Sequence, residues 1–157
     1  MQRVPMTKAG ADAMREELQY LKGEKRHHIV HTIEVARAHG DLSENAEYHA
    51  AKEDQGMNEA RISMLEDKLS RAQVIDPASI ESERIVFGAT VDLVDMELDK
   101  AITYKIVGED EANIDQGTIS VTSPIARALI GKEEGDVATV LAPGGERDYE
   151  IVGISYK

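Results

Sequence analysis

The stretch from residue 48 to residue 72 constrains the fold more than any other part of the chain. Its small, apolar and amide side chains recur in steps of three and four, and no proline interrupts the series. Such spacing places every member on one side of an α-helix, so the pattern predicts a long helix with a coiled-coil seam. The members of the series are Tyr48, Ala51, Gln55, Asn58, Ile62, Leu65, Leu69 and Ala72.

A second helical pattern precedes this one and predicts one long helix. Its apolar positions are Met14, Leu18, Leu21, Ile29, Ile33 and Ala36. Thr7 is the expected N-cap, because its hydroxyl can accept a hydrogen bond from an amide of the first turn. Each helix must bury its apolar stripe, and its nearest partner is the other helix across a bend around Gly40. The two patterns predict an antiparallel α-helical coiled-coil hairpin, whose register is fixed partly by Lys25, Gln55 and Asn58.

In the rear half of the chain the apolar residues follow a different spacing. Short runs rich in Val, Ile and Thr predict strands, and they read "ATVDLV", "TYKIVG", "TISVTS", "VATVLA" and "YEIVGISY". Pro77 marks the boundary with the helical half, and "APGGER" predicts a turn between the last two strands. A short helix is expected to start at Ser123 and Pro124 and to stop before Gly131. The chain is therefore predicted to be an α+β protein, with a small antiparallel sheet packed on one helix after the hairpin.

The composition narrows the class of protein. The 157 residues include no cysteine, which excludes disulfides and thiolate metal sites, and no segment resembles a signal peptide or a membrane span. The cytoplasm is the expected compartment. The net charge of -12 disfavours general nucleic-acid binding, but residues 76–157 carry 17 acidic and 7 basic side chains, against 13 and 11 in residues 1–75. The front half can thus approach phosphates, while the acidic rear half suits either a basic protein surface or simple solubility.

The bend between the helices carries an unusual number of charged residues, in "HGDLSENAEYHAAKE". If the second helix begins near Leu42 or Ser43, Asp41 and Glu44 converge at its first turn, with Glu47 on the same side. Acidic residues at a helix start are ordinarily caps or dipole partners. Carboxylate oxygens also suit Mg²⁺, although two of them would hold it only weakly without ligands from a partner. Both interpretations remain open at this point.

Other residues near the bend fit familiar sites less well. Arg37 and Lys52 flank it and can contact a phosphate backbone, although solvated surface positions explain them equally. His27 and His31 have a spacing that can bind zinc, but the catalytic Glu of a zinc hydrolase motif is absent. Ser43 has no recognisable base partner. The residues give no support to a hydrolase.

Three segments of the chain resemble the bacterial GreA/GreB family of transcript cleavage factors. They are "HGDLSENAEYHAAKEDQG" at the bend, "IVFGATV" at the start of the rear domain, and "SVTSPIARALIGKEEGD" followed by "PGGE". The resemblance spans essentially the whole chain. It implies a coiled-coil hairpin at 1–75 that enters the secondary channel of RNA polymerase, a linker at 76–82, and a polymerase-docking domain at 83–157 with an FKBP-like fold.

The resemblance also implies a function that depends on the partner. A member of this family is not an enzyme on its own, but stimulates RNA polymerase to cleave backtracked nascent RNA. Asp41 and Glu44 match the acids that help to hold a second Mg²⁺ in the polymerase active centre. The metal is held jointly with the polymerase, so the isolated protein, expected to be a monomer, is not expected to bind it.

The remaining site residues follow from the same resemblance. Arg37 and Lys52 are expected to contact the 3′ segment of the extruded RNA. A family member carries arginine at the position matched by Lys52, and lysine supplies the charge without the bidentate fork. The residues expected to form the polymerase-docking loop are Ser123, Pro124 and Ile125.

Three rival functions remain. An inhibitory paralogue would block the same channel, and its expected sign is a more acidic bend without the "DLSEN" pattern that is present here. A non-catalytic coiled-coil adaptor would survive the loss of Asp41. A folding helper would need an aromatic-lined proline pocket, yet the aromatic residues of the rear domain are only Phe87, Tyr104, Tyr149 and Tyr156.

Overall fold

The computed structural model describes residues 2–40 and 45–157. Within that part of the chain, no helix is both long and apolar enough to cross a membrane. The contacts divide the chain into two compact units. The first is Ala11–Arg71, and the second combines Gln2–Gly10 with Ala72–Lys157.

The first unit is a pair of helical arms. Its elements are α1 (Lys8–Tyr20, which starts in the second unit), a π-helical turn (Leu21–Lys25), α2 (Arg26–Arg37) and α3 (Ala46–Arg71). Leu21, Ile62 and Leu65 form its core, with Met14 and Leu18 packed against them. The predicted antiparallel hairpin is confirmed. The predicted seam runs one residue too far, because α3 ends at Arg71 and Ala72 begins a strand.

Ion pairs join the two arms along their flanks. They are Glu17–Arg61 and Arg26–Glu59 at 2.8 Å, Lys22–Glu66 at 3.2 Å and Lys25–Asp54 at 4.0 Å. The later residues of the first arm, Lys25 and Arg26, meet earlier positions of α3 than Glu17 and Lys22 do, as antiparallel packing requires. A hydrogen bond from Arg61 lowers the pKa of Glu17. These side chains are partly exposed, so each pair contributes on the order of 0–1 kcal/mol and mainly specifies the register.

The first arm is not one continuous α-helix, as the sequence pattern had predicted. The π-helical turn Leu21–Lys25 separates α1 from α2. Asn58, which is buried in the seam, donates from Nδ2 to the Leu21 carbonyl at 3.1 Å. A π turn disturbs the regular pairing of main-chain groups, and the Asn58 amide provides a donor at that point. A π-helical turn contains one residue more than an α-helical turn. The spacing of the apolar residues in the sequence does not reveal this extra residue, because the apolar side chains before and after the turn still face α3.

The second unit begins with two short strands that the sequence did not predict. Strand β1 (Val4–Thr7) pairs in parallel with β2 (Ala72–Ile75). Thr7 is confirmed as the N-cap of α1, because its Oγ1 accepts a hydrogen bond from the Gly10 amide at 3.1 Å. The Glu111 carboxylate accepts hydrogen bonds from the main-chain amide and hydroxyl of Thr7 and from the Gly108 amide. These contacts fasten β1 to the sheet domain.

The sheet of the second unit has five strands in the order β5-β4-β3-β7-β6. They are β3 (Ala89–Asp95), β4 (Lys100–Val107), β5 (Thr118–Ser120), β6 (Val137–Ala142) and β7 (Gly145–Tyr156). Neighbouring strands are antiparallel, except that β5 runs parallel to β4. All five predicted strands are present. The predicted turn in "APGGER" is also confirmed, because Ala142 pairs with Gly145 at the end of the β6–β7 hairpin.

A short helix, α4 (Pro124–Leu129), packs on this sheet. The core between them contains Val91, Leu93, Ile106, Leu129 and Ile151, all fully buried. Each such side chain contributes about 1.5–3 kcal/mol relative to an exposed position. The alternation of fully buried and more accessible residues along β3 explains why the sequence could predict this layer.

Candidate functional site

The first helical arm ends in a tight turn at the predicted bend. Helix α2 stops at Arg37, and the amides of His39 and Gly40 then donate to the carbonyls of Ala36 and Arg37 at 3.1 and 3.3 Å. Gly40 has a φ of +112°, a backbone conformation that disfavours every residue with a Cβ atom. The position of the bend around Gly40 is thus confirmed, and the local chemistry explains why a glycine stands there.

The second arm begins later than the sequence had predicted. Its expected start near Leu42 or Ser43 is wrong, because α3 begins at Ala46. Asn45 caps it: the side-chain Oδ1 accepts a hydrogen bond from the Tyr48 amide at 3.0 Å. The Nδ2 group of the same side chain donates to the Ala36 carbonyl on α2 at 2.6 Å. Asn45 therefore joins the end of one helix to the start of the next.

The two candidate metal ligands, Asp41 and Glu44, lie outside the described residues. Their predicted convergence rested on a helix start near residue 42, and both precede the observed cap at Asn45 in the sequence. Glu47, the third acid of the bend, lies in the first turn of α3 and is exposed. There its charge is favourable beside the positive end of the helix dipole.

The two candidate RNA-binding cations, Arg37 and Lys52, are both exposed. In the sequence, Arg37 precedes the segment 41–44 and Lys52 follows it. Arg37 occupies the last turn of α2. Lys52 lies about two turns into α3, and its Nζ donates to Gln55 Oε1 at 2.9 Å. A single exposed hydrogen bond to a neutral amide leaves the ammonium charge available to a phosphate.

Metal ligands are scarce in the part of the chain that the structure describes. Among residues 2–40 and 45–157, no group of three or more His, Cys, Asp or Glu side chains could hold a metal ion. His27 and His31 lie one turn apart on α2 and are both exposed, without a third ligand among those residues. The carboxylates of Asp41 and Glu44 are oxygen donors of the kind that Mg²⁺ prefers, but two fall short of its six ligands.

The three candidate docking residues lie at the start of α4. Ser123 is its N-cap: its Oγ accepts from the Ala126 amide at 3.3 Å and donates to the Ser120 carbonyl at 2.7 Å. Pro124 is exposed, whereas Ile125 packs partly against the sheet core. The predicted helix start is confirmed. The docking role of these residues stays a prediction, and each of the three has a different role in the fold.

Asn45 is the residue of this site that sequence reasoning missed. A usable signal existed, because asparagine is among the preferred N-cap residues and Tyr48, the first seam position, follows it by three. Asp41 and Ser43 are equally acceptable caps, so the preference alone does not select among the three. Only the position of the Ala36 carbonyl makes the choice, since asparagine can cap α3 and reach that carbonyl at once.

Comparison with known proteins identifies the class to which this arrangement belongs. A family model described as "Transcription elongation factor, N-terminal" matches residues 4–74, and one described as "Transcription elongation factor, GreA/GreB, C-term" matches residues 80–156. The transcription elongation factors GreA of Alkalilimnicola ehrlichii and Ralstonia nicotianae are 62% and 59% identical to this chain, with 99% of each chain covered in both comparisons. The chain therefore belongs to the GreA/GreB family of transcription elongation factors.

The solved structures include a related factor as well. The GreA factor homolog 1 (Gfh1) protein of Thermus thermophilus is 31% identical, covers 98% of this chain and 99% of its own, and superposes with a TM-score of 0.44. The two family models and the GreA relatives confirm, at the level of the family, the resemblance seen in the sequence of the bend and of the second domain.

Proposed function

We propose that this protein binds RNA polymerase and stimulates the polymerase's own Mg²⁺-dependent hydrolysis of backtracked nascent RNA, which rescues arrested complexes. One observation supports it above the others. The acidic segment 41–44 connects two helices that pack antiparallel, so it belongs to the bend of a hairpin in a chain of the GreA/GreB family. On this proposal the hairpin enters the secondary channel and the chain itself is not an enzyme.

The ligand count explains why the proposed chemistry requires a partner. Mg²⁺ takes six oxygen ligands and exchanges its waters reluctantly, so two carboxylates from one chain bind it weakly. The polymerase would supply the first metal ion and the remaining carboxylates. Metal ions placed in this way activate the attacking water and stabilise the leaving oxygen of the phosphodiester. In this scheme Asp41 is the principal ligand contributed, and Glu44 assists it or orients the water.

The exposed cations give the same site a means of holding its substrate. Arg37 at the end of α2 and Lys52 on α3 would contact phosphates of the extruded 3′ RNA segment. Lysine acts there as a point charge, so Lys52 favours the backbone without imposing a bidentate geometry.

The second unit would carry the docking surface. Residues 76–157 hold 17 acidic and 7 basic side chains, a balance that favours a basic partner surface. Within this unit the start of α4, with Ser123, Pro124 and Ile125, is the proposed contact with the outside of the polymerase. One copy of the chain is sufficient for this arrangement, and the cytoplasm is its proposed compartment.

A cleavage assay tests the proposal directly. A stalled, backtracked polymerase with a labelled transcript is incubated with Mg²⁺ and either the unchanged protein, Asp41→Ala or Glu47→Ala. We expect the unchanged protein and Glu47→Ala to accelerate cleavage. Asp41→Ala should lose the acceleration while its affinity for the polymerase stays within about twofold, since the removed group is a ligand in the transition state rather than a docking contact. Glu47→Ala is the matched control, because it removes an exposed carboxylate from the same bend.

The same assay separates the rival functions. Cleavage at equal rates with Asp41→Ala and the unchanged protein would reject the metal role of Asp41. An unchanged protein that binds and slows the polymerase without cleavage would indicate the inhibitory paralogue. Binding without any effect on the transcript would indicate the adaptor.

A further inference from the structure

Strand β6 lies at one edge of the five-stranded sheet, because it pairs with β7 alone among the described strands. At its start, the Ile151 amide donates to the Asp136 carbonyl at 2.9 Å. Hydrogen-bonded and non-hydrogen-bonded pairs alternate in an antiparallel ladder, so Ala138 and Val140 also direct their main-chain groups toward β7. The residues whose amides and carbonyls point away from β7, toward the open edge, are Val137, Thr139 and Leu141.

This open edge lacks the usual protection against pairing with another strand. Natural edge strands are commonly very short, or carry a charge or a proline that prevents a further strand from adding to them. The sequence of β6, "VATVLA", has six residues and contains neither a charged residue nor proline. The strand at the opposite edge, β5, has only three residues. Apolar side chains are also accessible along β6, since Val137 is 44% exposed and Leu141 is 72% exposed.

Strand β7 gives the same edge a negative charge. Residues directly opposite each other in an antiparallel pair share a face. The Thr139 hydroxyl donates to Asp148 Oδ1 at 2.7 Å, in agreement with that rule. The only basic residue in the sequences of β6 and β7 is Arg147, and its guanidinium pairs with Asp95. The exposed acids of β7 that lie opposite the three outward-directed residues of β6 are Glu146, Asp148 and Glu150.

We propose that the β6 edge binds an extended, basic segment of another protein, which adds antiparallel to β6 as a further strand of the sheet. Main-chain hydrogen bonds to Val137, Thr139 and Leu141 hold the segment, and its side chains provide the selectivity. The added strand lies about 10 Å from β7, two strand spacings away, so its lysine or arginine side chains come near the β7 acids. The site uses none of the residues named in the proposed function, so either proposal can fail without the other.

The charge of this edge argues against a second copy of the chain as its occupant. Two β6 edges can pair about a two-fold axis at Thr139, because Val137 of one copy then lies opposite Leu141 of the other. Such a pair would bring two sets of β7 acids onto one continuous face, in chains that each carry a net charge of -12. A basic segment instead meets this face with the opposite charge, which favours the encounter.

Peptide binding tests the proposal in the full-length protein. The probe is a labelled peptide in which lysine and valine alternate. When it adds antiparallel to β6 with its lysines on the acidic face, the lysine amides point toward β6 and the valine amides point away. Methylation of the lysine amides should therefore weaken binding at least about tenfold, because several main-chain hydrogen bonds are lost. Methylation of the valine amides is the matched control and should change the affinity by less than about twofold.

Two substitutions in β6 test the site from the side of the protein. Thr139→Pro removes an amide that points away from β7, so it blocks the edge and leaves the main-chain ladder between β6 and β7 intact. Leu141→Lys places a positive charge on the edge. Each should weaken binding of the unmethylated peptide at least about tenfold. Ile114→Lys is the matched control, because it adds the same charge at an apolar side chain that is 61% exposed and precedes β5 in the sequence. It should change the affinity by less than about twofold.

Hydrogen exchange shows where the peptide binds. In the free protein the amides of Ala138 and Val140 should exchange slowly, since they already pair with β7. The peptide should slow the exchange of the three outward-directed amides, which are those of Val137, Thr139 and Leu141.

Three results would overturn the proposal. Unchanged exchange at the outward-directed amides would show that the peptide does not add to β6. Equal binding of the two methylated peptides would show attraction by charge alone. A dimer of the unchanged protein in sedimentation experiments, lost in Thr139→Pro, would assign the edge to a second copy of the chain.

Discussion

At the scale of single residues, the bend and the β3–β4 turn depend on main-chain geometry that only a few side chains allow. Gly40 adopts a positive φ, and among the described residues, its chain neighbours apart, no atom lies within 4 Å of the place where its Cβ would be. Asp95 is 1% exposed and is surrounded by donors at the end of β3. In both cases the residue type follows from the conformation of the chain.

The conformation of Gly40 leads to a prediction about stability. Gly40→Ala should lower the free energy of unfolding by about 1–2 kcal/mol, because a residue with a Cβ atom is strained at this φ. Gly56→Ala is the matched control, since Gly56 lies inside α3 with the same open surroundings. It should raise the free energy of unfolding by about 1 kcal/mol through helix propensity. Urea unfolding followed by circular dichroism measures both, and effects of the same sign would contradict the prediction.

The pKa of Asp95 leads to a prediction about how the stability of the folded protein depends on pH. Hydrogen bonds from the main-chain amide of Leu98, then that of Glu97, and the Arg147 guanidinium at 3.0 Å lower its pKa below the ordinary 3.8, against the opposing effect of burial. A lowered pKa in the folded state stabilises the protein above pH 3.8, and this contribution is lost as the pH falls from there through the folded-state value.

The measurement compares thermal unfolding of the unchanged protein and of Asp95→Asn between neutral pH and about pH 2.5. Asp95→Asn should have the lower midpoint at neutral pH, because it lacks the charge that pairs with Arg147. The difference between the two midpoints should shrink as the pH falls below 3.8. A difference that stays constant over this range would show that Asp95 acts through shape alone.

At the scale of elements, the strongest sequence patterns predicted the structure well. The seam from Tyr48 predicted the hairpin, and the alternation along β3 predicted the sheet, because a repeated apolar position shows which face an element buries. The π turn at Leu21–Lys25 leaves that repeat unchanged on both sides, so it was not predictable. Strands β1 and β2 have only four residues each, too few for a period to be recognised. The start of α3 was mispredicted because three caps compete within five residues and the deciding contact is to another helix.

We predict that substitutions at the start of α4 can affect the stability of the second unit without affecting binding to the polymerase, and the reverse. Ser123→Ala removes its N-cap and should lower the stability of the second unit by about 1 kcal/mol, measured by urea unfolding. Pro124→Ala changes an exposed residue and leaves the Ser123 cap in place. It should weaken binding to the polymerase, while the free energy of unfolding changes by less than about 0.5 kcal/mol. Full polymerase affinity in Pro124→Ala would remove this residue from the proposed docking loop.

At the scale of the whole molecule, charge is distributed unevenly along the chain. The helical half is nearly balanced, and the half that contains the sheet holds most of the acidic excess. On the proposed function, this pattern would let Arg37 and Lys52 act on phosphates within a chain whose net charge of -12 would otherwise repel RNA. The local signs could be read from the sequence, but the exposure of both side chains required the structure.

The proposed RNA contacts of Arg37 and Lys52 lead to a prediction about the cleavage rate. Arg37→Ala and Lys52→Ala should each reduce the cleavage rate by a factor of about three to ten, in line with the loss of one phosphate contact. Lys52→Arg keeps the charge and should retain the full rate. The reductions should become smaller at high salt, where phosphate contacts are screened. An undiminished rate in both alanine variants would leave these side chains without a role in RNA binding.

The pairing of β1 with β2 has a consequence for biosynthesis. Translation produces Val4–Thr7 first, but their partners at Ala72–Ile75 emerge only after both helical arms have been made. The earliest strand must therefore wait on the ribosome, with its edge uncovered, until the arms have been synthesised. Antiparallel pairing of those arms would bring the two strand sequences together, and so would shorten the time during which a foreign strand can pair with the vacant edge.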